Sequence, residues 1–280
     1  MKSIYEKVGR TAFVIAEWRA EESESADPLF HDHIANIFLN EETKKVAAAI
    51  AKASPSTKFL VRYRTRYFDD LMLEKIRQGV KQVVILGSGL DTRPLRLASN
   101  HVKFYEVEQK HVLQYKEQQI EQFGYRQNSE WIYADYTDVD FIAMLQEQGL
   151  DPEQETFLLW EGNIFYLKYE NIRYVLESLR QGLTHFELAF DYLSHKLITR
   201  STGFKRSEEL LDGFSSIGAP WNTGFDDITT LADQVGLSVK ENFLIANYSN
   251  GIDKDFWVDP QLFDDYSICI FHQETKEFAR

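Results

Sequence analysis

Two glycines behind a run of apolar residues are the part of this chain best suited to chemistry. Val83-Val84-Ile85-Leu86 reads as a strand buried on both faces, and Gly87-Ser88-Gly89 follows at once. Lacking side chains, the glycines let backbone approach a nucleotide-like ligand closely. A dinucleotide fingerprint needs a third glycine where this chain has Thr92. That glycine lets a helix pack tightly beneath a pyrophosphate, so its absence points to a nucleoside ligand without one. Acids recur at the ends of the next expected strands: Glu106 and Glu108, then Asp135 beside Tyr136, then Glu161. An acid about 20 residues after the glycines suits ribose hydroxyls. Asp135 suits an exocyclic amine, with an aromatic neighbour against a base, and serves equally well as a helix N-cap. Glu161 follows an apolar strand and needs a partner there.

The elements that must position these residues alternate. Strand-like segments at 82–87, 102–107, 130–134, 156–160 and 184–190 are separated by amphipathic stretches near 110–123, 138–149 and 170–181. Such alternation predicts βαβ units, a mainly parallel sheet, and helices on both faces. The loops after the strands then share one edge, where ligands bind. The first eighty residues read as helical: Thr11 to Ala20, Glu41 to Ala53, and a third from Arg66 to about Gly79, with Pro28 and Pro55 as punctuation. Further helices are expected over Ser207 to Phe214 and Asp227 to Gly236. Ser238 to Ala246 and Tyr266 to His272 are expected as an antiparallel pair at the sheet edge.

Composition narrows the function. Net charge is −13 with pI near 5.1, which disfavours nucleic acid and anionic membrane as partners. Arg62, Arg64 and Arg66 make the one candidate basic patch and also read as a solvated helix face. The single cysteine, Cys269, excludes an internal disulfide and a thiolate cluster. No metal site is expected; His31-Asp32-His33 resembles a ligand triplet but lacks adjacent carboxylates. The N-terminus has no leader-like apolar core and no run is long enough to span a bilayer, so a cytoplasmic setting is expected. Serine-elbow and P-loop motifs are absent from the sequence.

Gly87-Ser88-Gly89-Leu90-Asp91-Thr92-Arg93 resembles the glycine motif of S-adenosylmethionine-dependent methyltransferases. The branch it resembles is the leucine carboxyl methyltransferase family, with its polyketide O-methyltransferase relatives. Ala16-Glu17-Trp18-Arg19-Ala20, Asp27-Pro28-Leu29-Phe30, Arg64-Thr65-Arg66-Tyr67-Phe68-Asp69-Asp70, Glu161-Gly162 with Tyr166-Leu167, and Pro220-Trp221 with Gly224-Phe225 are similar in the same order. Glu106-Val107-Glu108 is similar to that family's Glu-Val-Asp step, with one extra methylene at 108.

The resemblance implies a class I, Rossmann-like seven-stranded sheet with a helical cap. It implies one domain over 1–280: a helical cap at 1–80, a nucleoside-binding core at 81–193, a cap insertion at 194–225, and the rest of the core at 226–280. The implied cofactor is S-adenosyl-L-methionine. Arg64 would pair with its carboxylate, Gly87, Ser88, Gly89 and Asp91 would form the turn around it, and Glu108, or failing that Glu106, would hold the ribose. Asp135 and the Tyr136 backbone would meet the adenine, and Glu161 the amino group. The acceptor would be a small-molecule carboxylate or hydroxyl, with Tyr166, Asp191 and His195 as candidates for proton transfer. A nicotinamide-dependent oxidoreductase, a non-catalytic cofactor-binding protein, and a protein carboxyl methyltransferase are the alternatives.

Overall fold

A computed structural model describes residues 8–53, 55–99, 101–252 and 264–273. Five strands in chain order, β1 (Gln82–Leu86), β2 (Lys103–Glu108), β3 (Glu130–Tyr133), β4 (Thr156–Trp160) and β5 (Phe186–Leu193), are joined with two more, β6 (Ser238–Leu244) and β7 (Tyr266–His272). They form one seven-stranded sheet in the order β3-β2-β1-β4-β5-β7-β6. The first five are parallel, and β7 runs antiparallel between β5 and β6. The chain winds outward from β1 to β3, then returns to the other side of β1 as β4. The switch point therefore lies between β1 and β4, where a crevice opens at their carboxyl ends.

Every residue of β1 and of β4 is buried, as their unbroken apolar runs require. Alternate side chains feed two layers. Val84, Leu86, Leu158 and Trp160 point to α6 (Phe141–Glu147), α7 (Tyr169–Gly182) and α10 (Ile228–Val235). Val83, Ile85, Phe157 and Leu159 point to α3 (Pro55–Arg77). Pro55 opens this helix rather than ending the previous one. Its fixed φ and missing N–H cost nothing in the first turn, so the helix starts earlier than the expected Arg66. The predicted last strand pair forms, but β6 stops at Leu244, and Ile245 and Ala246 belong to α11 (Ile245–Ile252).

Helix α1 (Arg10–Ser23) is buried on nearly all sides, including its charged Glu17, Arg19 and Glu22. Phe13, Ala16 and Ala20 face one apolar cluster and Val14 and Trp18 another. A helix this enclosed belongs to the interior, and its Thr11, Ala12, Ile15 and Arg19 line the crevice. The remaining elements are α2 (Glu41–Ala53), α4 (Arg93–Arg96), α5 (Lys110–Gln122), α8 (His195–Ile198), α9 (Lys205–Ser216), and 3₁₀ turns at His33–Phe38 and Ile164–Tyr166.

One charge pair sits inside this frame. Lys116 of α5 bonds Glu106 of β2, and both are almost fully buried. Glu106 also accepts from Ser129 Oγ at 2.7 Å and Trp131 Nε1 at 3.2 Å. Lys116→Met leaves that carboxylate without its cation, and urea unfolding should show a loss of about 3–5 kcal/mol. Adding Glu106→Gln should restore most of the loss.

Candidate functional site

The crevice is assembled from two sharp turns. After β1, Gly87 takes φ +63° and Gly89 φ +48°; after β4, Gly162 takes φ +70°. A Cβ on Gly87 would lie 2.6 Å from Asn163 Oδ1, so only glycine allows the two turns to meet. Asn163 clasps them, its Nδ2 donating to the carbonyls of Glu161 (2.7 Å) and Gly87 (3.2 Å). Glu108, at the end of β2, folds onto the first turn. Its Oε2 accepts from Gly89 N–H at 3.0 Å and its Oε1 from Gln109 N–H at 2.7 Å. Burial raises the Glu108 carboxyl pKa, against the pull of those N–H groups. The Ser88 hydroxyl is buried in the lining with no partner among the described residues.

Beneath the turns runs a buried chain of alternating charges. Glu161 is shared: Oε1 accepts from Arg64 Nε at 2.7 Å and Oε2 from Arg93 Nη1 at 2.6 Å. Arg93, 1% exposed, also holds Asp91 and Asp69, each at 2.6 Å. Asp69 continues to Arg96 at 2.8 Å, Arg96 to Asp32, and Asp32 in turn to Arg19. On the other side Arg64 Nη1 donates to Asp191 Oδ2 (3.0 Å) and Tyr266 OH (2.7 Å). Tyr266 donates in turn to Asp191, whose Oδ1 takes Gly162 N–H at 2.6 Å. Burial works against the charge on Arg64, yet Tyr266, Glu161 and Asp191 hold its pKa above the ordinary value. Its Nη2 makes no hydrogen bond among the described residues and borders Gly162, where an added Cβ would lie 3.3 Å away.

A family model described as leucine carboxyl methyltransferase matches residues 12–180, which include most of α1, both turns and the charge chain from Arg19 to Glu161. The chain belongs to the leucine carboxyl methyltransferase family. It is 30% identical over 217 residues to a protein of Mycolicibacterium smegmatis provisionally named an S-adenosyl-L-methionine-dependent methyltransferase, covering 72% of each chain. A Mycobacterium tuberculosis relative of the same provisional name is 32% identical over 183 residues, 59% of this chain and 58% of that one. A solved DUF574 family protein from Streptomyces avermitilis superposes with a TM-score of 0.65 at 11% identity, covering 97% of this chain and all of that one, a likeness of fold. The sheet and its helices are the Rossmann-like architecture the sequence implied. The family sets aside the nicotinamide oxidoreductase reading.

Within this methyltransferase the expected site residues part company. Arg64, Gly87, Ser88, Gly89, Asp91, Glu108 and Glu161 all line the crevice. Glu106 does not: it lies deeper on β2, committed to Lys116, Ser129 and Trp131. Asp135 is exposed and turns onto Thr137, accepting from its N–H at 3.1 Å and its hydroxyl at 2.7 Å. Tyr136 is buried, its hydroxyl accepting from Trp160 Nε1 at 3.2 Å. Of the three candidates for proton transfer, Tyr166 lines the crevice. Asp191 is sealed beneath Arg64, and His195 is exposed at the start of α8, near Asp226. Asp32 of the histidine triplet caps the His33–Phe38 turn and bonds Thr92 Oγ1 at 2.6 Å. Arg93, Asp69 and Asn163 are what sequence reasoning missed. All three stand inside or beside quoted motifs, but their partners lie far away in sequence. Among the described residues no helix is long and apolar enough to cross a membrane.

A second cavity adjoins the crevice. The two share Thr11, Ile15, Arg64, Gly162 and Tyr166. The crevice has a cavity volume of about 200 Å³ and the second cavity about 50 Å³, each partly open to solvent.

The charge chain makes stability depend on acid. Burial raises the Asp69 and Asp91 carboxyls, but the arginines, Arg93 first, more than offset this and hold both below the ordinary carboxylate range. A carboxyl whose pKa falls on folding stabilises the fold above its unfolded value, near 4, and loses that contribution as pH falls through the folded value. Unfolding followed by urea should therefore show stability dropping below about pH 4. Arg93→Ala should cost about 3–5 kcal/mol at pH 7 and flatten the acid limb.

Proposed function

We propose that this methyltransferase moves a methyl group from S-adenosyl-L-methionine to an oxygen, carboxylate or hydroxyl, of a small molecule. The single observation that carries the reading is the shared wall: the glycine crevice and the second cavity meet at Gly162, Tyr166 and Arg64. A donor and an acceptor that meet there need little more than alignment, which is worth roughly 7–11 kcal/mol of barrier.

The crevice residues fit the cofactor. Two positive-φ glycines leave a cradle, Ser88 between them has a buried hydroxyl with no partner among the described residues, and Glu108 supplies an acceptor at the end of β2. Bound there, S-adenosylmethionine supplies a methyl on a positively charged sulfur. Glu108 would take the ribose hydroxyls by giving up its backbone N–H bonds. Arg64 would offer Nη2 to the cofactor carboxylate, since its other nitrogens are occupied. Glu161 has both oxygens engaged, so it would act by aiming Arg64. Residues 1–80 and 194–225 would form the cap, as they supply Trp18, Leu60, Phe214 and Trp221 to the second cavity. The net charge of −13 favours a small-molecule acceptor over nucleic acid.

Calorimetric titration tests this. S-adenosylhomocysteine should bind saturably, and Glu108→Gln should weaken it at least tenfold, about 1.4 kcal/mol, with little change in melting temperature. Absence of binding at millimolar ligand would refute the assignment.

A further inference from the structure

Tyr266 ties the far side of the sheet to the crevice. β7 runs antiparallel to β5, so its first residue, not its last, lies where the parallel strands end, opposite Leu193. Tyr266, Ile268 and Ile270 share the face covered by α3, in one cluster with Leu60 and Tyr63. The Tyr266 ring is buried and lines the second cavity, an aromatic one that it shares with Phe165, Phe214 and Trp221. It meets Phe165 at 6.4 Å with planes at 61°. Tyr266 falls outside residues 12–180, the stretch that matches the family model, and it is not part of the crevice lining.

Its hydroxyl is aimed in one direction. The proton goes to Asp191 Oδ2, so toward Arg64 the oxygen can only accept, and Nη1 donates to it at 2.7 Å. Asp191 is pinned in turn, since its Oδ1 takes Gly162 N–H at 2.6 Å. Burial, more than any neighbour, pushes the Tyr266 pKa well above its ordinary value, so the phenol keeps that proton at neutral pH. A guanidinium carries its N–H groups in a rigid planar fork. Arg64 spends Nε on Glu161 at 2.7 Å, and both protons of Nη1 on Asp191 at 3.0 Å and on Tyr266. Without the Tyr266 hydroxyl, Nη1 regains a free proton. It then competes with Nη2 for any carboxylate that enters the crevice, and the fork keeps two anchors where it had three.

We propose that Tyr266 is a positioning residue for the cofactor. By filling Arg64 Nη1 it reserves Nη2 for the cofactor carboxylate, and so sets how strongly the site prefers a nucleoside that carries an amino-acid tail over one that lacks it. The proposal rests on the reading above that Arg64 meets this carboxylate. Tyr266 reaches the ligand only through Arg64, so its effect is confined to the tail and leaves the adenosine half untouched.

Calorimetric titration with two ligands tests this. One is S-adenosylhomocysteine; the other is 5′-methylthioadenosine, which keeps the adenosine and the sulfur and lacks the tail. Tyr266→Phe keeps the ring in the cavity wall and removes only the hydroxyl. It should weaken S-adenosylhomocysteine about fivefold or more, the range of one hydrogen bond to a charged group, and leave 5′-methylthioadenosine within about twofold. Tyr192→Phe, which removes a hydroxyl bonded to Asn242 on the neighbouring strand, should leave both ligands within about twofold. Equal weakening of the two ligands by Tyr266→Phe, no weakening of either, or the same selective loss in Tyr192→Phe would each overturn the proposal. If Tyr266→Phe does not fold, the wild-type complex with S-adenosylhomocysteine decides. Its carboxylate should lie on Nη2 with Tyr266 still on Nη1, and a carboxylate on Nη1 would overturn the proposal. Wild-type protein that binds S-adenosylhomocysteine no more tightly than 5′-methylthioadenosine would overturn the Arg64 contact and this proposal with it, while leaving methyl transfer standing. Failure of both ligands to bind would overturn the methyl-transfer reading itself.

Discussion

One carboxylate shared between two arginines governs the site. Glu161 lies at the end of a wholly buried strand, where an unpaired charge would be costly. Arg64 comes from α3 and Arg93 from the helix after the glycine turn, so the shared group joins the N-terminal helices, β1 and β4 at one point. Removing any one member would leave another buried charge exposed to the cost of desolvation. The network therefore fixes which nitrogen of Arg64 is left to face the crevice, and places chemistry under the control of tertiary structure.

The turns add a second constraint. The sheet changes direction between β1 and β4, which opens a crevice at their carboxyl ends. Gly87 lets the two turns meet there, Asn163 ties them, and Gly162 leaves room for the Arg64 guanidinium. Helix α1 then covers the opening, contributing Thr11 and Ile15 to both cavities. A helix buried on nearly all sides cannot move without disturbing two apolar clusters, which makes it a wall more than a lid.

Much of the fold was legible because the buried parallel strands are uninterrupted apolar runs, such as Val83 to Leu86 and Phe157 to Trp160. The glycine turn and Glu108 were legible because close backbone approach and a strand-end acid have local signatures. Glu106 was not separable from Glu108 by pattern, since both fall on the same face of β2. Depth distinguishes them, and Lys116, ten residues on, claims the inner one. Asp135 carried two readings of similar weight, and its bonds to Thr137 are those of a local turn. The role of Arg93 could not be read from its neighbours, because Asp69 and Glu161 reach it from other elements. Pro55 marked a helix boundary, but the turns from Pro55 to Thr65 were not read as helix; the burial of Leu60 and Tyr63 shows that they belong to it.

The central claim is that the crevice and the aromatic cavity are the two halves of one transfer site. A crystal structure with bound S-adenosylhomocysteine tests it most directly. The account predicts ribose hydroxyls on Glu108, the carboxylate on Arg64 Nη2, and the sulfur pointing past Gly162 and Tyr166 into the aromatic cavity. A sulfur turned away from that cavity, or a ligand seated outside the glycine turns, would contradict it.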